Sequence, residues 1–184
     1  MSPDPAAAGA DQGGALLALY DRALPEVYGY LLPRCGDRAT AEDVTSETFL
    51  AAVAAVQKGT VPDLTVAWLV GVARHKLVDH WRRAGREERR LHRVAAQPEA
   101  VDDPWDAHLD AAVARDVLAG LGPHHRSALT LRYLDGLSVP EVARHLDRTV
   151  HATEALLVRA RAAFRRAAAD TAPTTPDERG TDRG

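Results

Sequence analysis

The sequence predicts an all-α protein of two small helical domains joined by a flexible linker, and three observations predict it. First, 46% of the 184 residues are hydrophobic but only 5% are aromatic. Much of the apolar content is alanine, a strong helix former that buries little area. Second, apolar positions recur every three or four residues, and nothing between Ala15 and Arg93 alternates as a strand would. Third, charge is sorted into blocks. Arg74, Lys76, Arg82, Arg83, Arg86, Arg89, Arg90 and Arg93 form one basic block. Glu99, Asp102, Asp103, Asp106 and Asp110 follow as an acidic stretch, and a second basic block ends the folded part. The expected organisation is a disordered N-terminus over 1–14, a first domain over 15–93, a linker over 94–107, a second domain over 108–169 and a disordered tail over 170–184.

In order along the chain, structure is expected from about Ala15. Leu16, Leu17, Leu19, Tyr20, Leu24, Val27, Tyr28 and Leu31 carry a helical apolar pattern, bent or interrupted at Pro25 and ended by Pro33 and Gly36. Thr40, with Asp43 three residues later, resembles a capping box for a helix over Ala41 to Val56. Its inner face would be Val44, Thr48, Phe49, Ala52 and Val56, and its outer face the acidic Glu42, Asp43, Ser46 and Glu47. Lys58, Gly59, Thr60 and Pro62 form a loop. Trp68, Leu69, Val72, Ala73, Leu77, Val78 and Trp81 anchor the next helix, which runs into the first basic block. Interleaved aromatic and basic residues can stack on unpaired bases and follow a phosphate backbone, or can simply be a core helix with a wet basic edge. Periodicity fades from about Glu87 through Pro98 and Pro104. A helix from near Asp106 then carries Leu109, Val113, Val117 and Leu121, and Gly122-Pro123 opens another in which Ala128, Leu131 and Leu134 face inward.

The last unit reads as a helix-turn-helix. Ser138 and Glu141 form a capping box with Pro140 in the first turn, and Val139, Val142, Ala143 and Leu146 face inward. Asp147 tolerates the left-handed conformation of a tight turn. Thr149 then caps a helix with Val150, Thr153, Leu157, Ala160 and Phe164 inside and His151, Glu154, Ala155, Val158 and Arg159 outside. Arg144, Arg148, Arg159, Arg161, Arg165 and Arg166 outnumber the nearby acids, which suits a polyanion in the major groove. The same pattern also describes a helical hairpin whose arginines are merely solvated.

A net charge of −3 opposes nucleic-acid binding on average, but its segregation into basic blocks restores the possibility. The single Cys35 forms no intramolecular disulfide and offers no thiolate cluster for a metal, which fits a reducing cytoplasm. No signal segment and no membrane span is apparent. Eight histidines raise the alternative of a metal-dependent enzyme, with His75, Asp79 and His80 on one helix and His124 and His125 opening another. None has the His-x-x-x-His spacing with a glutamate base, and no cofactor is expected. A receiver-linked repressor would need alternating strands before the helix-turn-helix, and an adaptor that only occupies a partner would not need the helix-turn-helix at all.

Several segments together carry a resemblance. They are Leu19-Tyr20-Asp21-Arg22, Ala41-Glu42-Asp43-Val44, Glu47-Thr48-Phe49-Leu50, Ala67-Trp68-Leu69, Val72-Ala73-Arg74, Leu121-Gly122-Pro123, Leu131-Arg132-Tyr133, Gly136-Leu137-Ser138, Glu141-Val142-Ala143 and Arg159-Ala160-Arg161. In that order and spacing the chain resembles the extracytoplasmic-function group of the sigma-70 family of RNA polymerase sigma factors over nearly all of Ala15 to Arg166.

The resemblance implies a region 2-like domain followed by a region 4-like domain, no covalent chemistry, and binding of core RNA polymerase and promoter DNA. Glu42, Asp43, Ser46 and Glu47 would dock on the β′ clamp helices, and the second domain on the β flap. Lys58, Gly59, Arg74, His75, Lys76, Arg82 and Arg83 would engage the −10 element, where a base flipped from the non-template strand is held. Arg148, Thr149, His151, Glu154, Ala155, Val158 and Arg159 would read the −35 element. A cognate anti-sigma factor is a candidate partner. His75, Ser46, Asp147 and the Glu154-Ala155-Leu156 run depart from common family residues, which bears on the promoter sequence more than on the activity.

Overall fold

The computed structural model describes residues 5–61, 63–91 and 111–171. All its regular elements are helical: α1 (Pro5–Cys35), α2 (Arg38–Gln57), α3 (Val66–Leu91), α4 (Ala111–Gly120), α5 (Pro123–Leu129) continued by a π-helical turn (Thr130–Leu134), α6 (Val139–Leu146) and α7 (Val150–Thr171). The expected linker over 94–107, residues Asp106 and Leu109, and the tail beyond Thr171 lie outside the described residues.

The first helix ends just before Gly36 as expected, but departs from expectation at its start and at its prolines. It begins at Pro5, ten residues before the expected start, because a proline at the first position and an alanine-rich run are both good helix starters. It also runs unbroken through Pro25 and Pro33. Leu16, Leu19, Ala23, Val27, Leu31 and Cys35 form one buried stripe across both prolines. An interior proline costs about 3 kcal/mol. Burying several aliphatic side chains at about 1.5–3 kcal/mol each outweighs that. Pro25 itself is exposed, so water can reach the carbonyl its ring leaves unpaired.

Helix α2 starts one turn earlier than expected. Asp37, not Thr40, is its N-cap: the carboxylate accepts the Thr40 N–H at 2.8 Å, which lowers the Asp37 pKa. Val44, Thr48, Ala52 and Val56 point inward as expected, joined by Ala41 and Thr45, while Phe49 is only half-buried and meets Tyr20 edge-on at 4.9 Å. The Thr45 and Thr48 hydroxyls donate to the carbonyls of Ala41 and Val44, so neither is an unsatisfied polar group in the core. Helix α3 continues through Glu87 to Leu91 and buries Leu69, Ala73, Leu77, Val78 and Trp81. Trp68 is half-buried against the core. Helices α1, α2 and α3 pack mutually as one bundle.

In the second bundle, α4, α5 and α6 all lie on α7. Leu131 is buried as expected, but Leu134 is 42% exposed. The π-helical turn explains the difference, since its i→i+5 bonds break the three-residue spacing that would put both leucines on one face. On α7, Thr153, Leu157, Ala160 and Phe164 are buried as expected, whereas Val150 is 43% exposed and Leu156 takes an inward place.

The two bundles also pack on each other, α3 against α5 and α6 and α1 against α4. Gly36 permits the α1–α4 approach: its φ is +84°, and a Cβ there would lie 2.8 Å from the Ala119 Cβ. Arg126 spans the junction, donating to the carbonyls of Cys35 (2.9 Å), Leu118 (3.1 Å) and Leu121 (3.1 Å). Burial pushes the Cys35 thiol up to about 12, so it behaves as a packing group.

Candidate nucleic-acid interface

The helix-turn-helix forms from local signals. The Glu141 carboxylate accepts both the Ser138 N–H (2.8 Å) and the Ser138 hydroxyl (2.6 Å), closing the expected capping box and holding Glu141 below the usual carboxylate range. Asp147 adopts φ 54°, the only positive φ among the described non-glycine residues, and Arg148 N–H then bonds the Ala143 carbonyl at 2.9 Å. The Thr149 hydroxyl accepts the Ala152 N–H at 3.1 Å and so starts α7.

The outer face of α7 presents His151, Glu154 and Ala155 to solvent, with Val158 and Arg159 half-buried one turn further on and Arg148 half-buried at the turn. These positions fall three and four residues apart on one side, as a groove-reading helix requires. Arg159 lies close enough to His125 to lower its pKa, although burial of that imidazole is the larger cause.

The residues expected at the −10 element are not gathered in one place. Lys58 and Gly59 are exposed in the α2–α3 loop, where Gly59 has φ +63°. Arg74 faces the second bundle and donates to Asp135 at 3.0 Å and to the Tyr30 hydroxyl at 3.4 Å. Exposed His75 sets its ring 5.2 Å from that of His145, and Lys76 is half-buried. Arg82 donates to the His145 carbonyl at 2.6 Å, at the C-terminal end of α6, and lies 3.7 Å from Asp79. Arg83 turns instead to α2, where it reaches both Glu47 oxygens at 3.2 Å.

On the acidic face, Glu42, Asp43 and Ser46 are exposed and Glu47 is half-buried. Glu42 pairs with Arg38 at 2.8 Å, and the Ser46 hydroxyl donates to the Glu42 carbonyl. Asp43 remains at the surface beside them.

Sequence reasoning missed the centre of the inter-bundle contact. The Asp135 side chain is 1% exposed and accepts from Tyr30 Oη (2.9 Å), Arg34 Nε (3.0 Å), Arg34 Nη2 (2.9 Å) and Arg74 Nε (3.0 Å). Arg34 also stacks over the Tyr30 ring at 3.9 Å. Burial, and then the Asp135 charge, push the Tyr30 phenol up to about 12. No local pattern marks Asp135, which reads as an ordinary turn residue before Gly136. Among the described residues no three His, Cys, Asp or Glu side chains are placed to hold a metal ion, and no helix is long and apolar enough to cross a membrane.

Comparison with known proteins gives a consistent assignment. The family model for Sigma-70 region 2 matches residues 19–87, and that for Sigma-70 region 4 matches residues 112–164. The chain is 36% identical over 156 residues to the ECF RNA polymerase sigma factor BldN of Streptomyces coelicolor, a match covering 82% of this chain and 59% of that one. It is 33% identical over 147 residues to the ECF RNA polymerase sigma factor SigL of Mycobacterium tuberculosis, covering 76% of this chain and 80% of that one. The fold is like that of the sigma factor RpoE from Bartonella quintana, solved with its anti-sigma factor NepR, at 21% identity and a TM-score of 0.50 over 88% of this chain and 99% of that chain. With both regions matched in order and the SigL relative spanned over most of its length, the chain belongs to the extracytoplasmic-function group of the sigma-70 family of RNA polymerase sigma factors.

Proposed function

We propose that this chain binds core RNA polymerase in the cytoplasm and directs it to promoters with a −10 and a −35 element, without itself making or breaking covalent bonds. The observation that carries the reading is the pairing of a region 2 bundle with a capped helix-turn-helix whose α7 face is exposed. In this reading Asp43, Glu42, Ser46 and Glu47 meet the β′ clamp helices. Lys58, Gly59 and the α3 cations Arg74, His75, Lys76, Arg82 and Arg83 serve the −10 element, and the α7 face with Arg148 and Thr149 serves the −35 element. Domain limits of 15–93 and 108–169 follow from the same assignment. An anti-sigma factor, as in the RpoE–NepR pair, is a further candidate partner.

The packed arrangement is a resting form. Arg74 cannot donate its Nε–H to DNA while Asp135 holds it, and Arg82 is committed to the His145 carbonyl. Promoter engagement therefore needs the two bundles to part, with polymerase contacts and DNA phosphates replacing the lost interactions.

Run-off transcription with core polymerase and a pool of genomic promoter fragments tests the proposal. Transcripts with fixed start sites should appear only when the protein is added. Failure of the protein to retain core polymerase in a pull-down would overturn it.

A further inference from the structure

Two histidines face each other across the bundle junction, one from each side. His75 on α3 and His145 near the end of α6 hold their rings 5.2 Å apart, tilted by 47°. His145 meets α3 a second time through its backbone, because its carbonyl accepts the Arg82 Nη2–H at 2.6 Å. One residue of α6 therefore carries both an attraction to α3 that does not titrate and a contact with α3 that does. Histidine is the side chain whose charge changes most readily between about pH 5 and 8.

The surroundings decide what a proton does there. The charges acting on the His145 ring come from three elements: His75 and Arg74 on α3, Arg144 and Glu141 on α6 itself, and Asp135 at the end of the π-helical turn. The nearby carboxylates are all engaged and cannot turn to balance a new cation. Asp135 already accepts from Tyr30, Arg34 and Arg74, and Glu141 closes the Ser138 capping box. Asp79, one turn beyond His75 on α3, lies 3.7 Å from Arg82. Burial first, and then His75, Arg74 and Arg144, hold the His145 imidazole below its ordinary value, so the packed junction resists a proton that a separated bundle accepts. Packing is therefore favoured above about pH 6.5 and weakens as pH falls through it. Two cations at the separation of these rings repel, even at the dielectric of bulk water, strongly enough to shift a two-state ratio about fourfold.

We propose that His75 and His145 form a proton-operated latch between the two bundles: acidification sets like charges ring to ring, drives α6 off α3 and releases the cations that the packed form holds. The inference rests on the packed resting form described above. Moving α6 withdraws the His145 carbonyl from Arg82, and the parting of the bundles takes Asp135 away from Arg74. Proton uptake and promoter engagement thus favour the same separated form, so each promotes the other.

Single-molecule energy transfer on the full chain tests this. Dyes attached through Gln57→Cys and Ala169→Cys, exposed positions toward the ends of α2 and α7, report on the two bundles, and buried Cys35 stays unlabelled. Packed and separated populations should both be present, with the separated-to-packed ratio rising at least about fourfold from pH 7.5 to 5.5. Helicity by circular dichroism should stay constant over the same range, which distinguishes parting from unfolding. In His145→Gln, which keeps the carbonyl that Arg82 needs, most of that rise should disappear even though His80 and His125 still take up protons. His145→Lys, with its permanent cation, should be as separated at pH 7.5 as the unsubstituted chain is at pH 5.5. A ratio that ignores pH, the same pH response in His145→Gln, or loss of helix in step with the change in transfer overturns the proposal. A single separated population at every pH removes the resting form and the latch with it, whereas a single packed population at every pH removes the latch alone.

Discussion

Arg74 and Asp135, 61 residues apart in sequence, meet at 3.0 Å across the two bundles, with the arginine partly open to water and the carboxylate closed off from it. The burial is asymmetric, so the carboxylate depends on its partners more than they depend on it. Asp135→Asn keeps the shape but removes the charge from a site built around two guanidiniums. Truncating one partner of a buried pair costs about 3–5 kcal/mol. Arg34 and Arg74 can rehydrate, so about 1–3 kcal/mol of the packed form's stability should be lost. Small-angle scattering should show a larger radius of gyration, and single-stranded −10 DNA should bind more tightly than to the wild type. An unchanged radius would sink the idea that Asp135 holds the bundles together.

Stability should fall on mild acidification. Burial is the first cause lowering the pKa of His80, His125 and His145, and nearby cations add to it. A histidine kept neutral in the folded chain binds fewer protons there than in the unfolded chain, so stability rises with pH in this range. The contribution is intact above the ordinary imidazole value of 6.5 and is lost as pH falls through it. Asp37 and Glu141, whose pKa values are lowered, add a second loss only when pH falls below the ordinary carboxylate range. Thermal melts should show a decline between pH 7.5 and 5.5, made shallower by His145→Gln; a flat profile there would contradict the burial of these rings.

Asp147→Gly should stabilise the helix-turn-helix. The left-handed conformation costs an ordinary residue about 1–2 kcal/mol, aspartate less, and glycine little. After subtracting glycine's greater unfolded-state freedom, the net gain should be about 0.5 kcal/mol, read as a higher urea midpoint at unchanged slope.

Glu154 is exposed on the α7 face, and in the proposed −35 reading it would accept a hydrogen bond from a cytosine amino group. Glu154→Gln should reduce discrimination at one base position by about 1–3 kcal/mol while leaving the −10 preference intact. Identical promoter preference in both proteins, measured by selection from a randomised −35 library, would remove Glu154 from the reading set.

The helix-turn-helix was legible because its signals are local. Ser138 meets Glu141, Asp147 turns and Thr149 caps, each within three residues of its partner. The start of α2 was harder to read, since Asp37 and Thr40 both have cap chemistry and only the fold chooses between them. Pro25 reads as a bend or an interruption and Pro33 with Gly36 as the end, but the stripe from Leu16 to Cys35 carries one helix through both prolines to the residue before Gly36. In the candidate site, the exposure of His151, Glu154 and Ala155 followed from periodicity. The engagement of Arg74 did not, because its acceptor arrives from a distant helix through a π-helical turn that no spacing rule anticipates.

Arg126 determines what moves when the bundles part. Two of its three carbonyl acceptors, Leu118 and Leu121, belong to its own half of the molecule, and only Cys35 lies across the divide. Separation thus frees one carbonyl at the end of α1, which water can take up, while the corner between α4 and α5 stays bolted. On the proposed reading, the second bundle should swing away as a rigid body, with α7 already shaped for the groove it would enter.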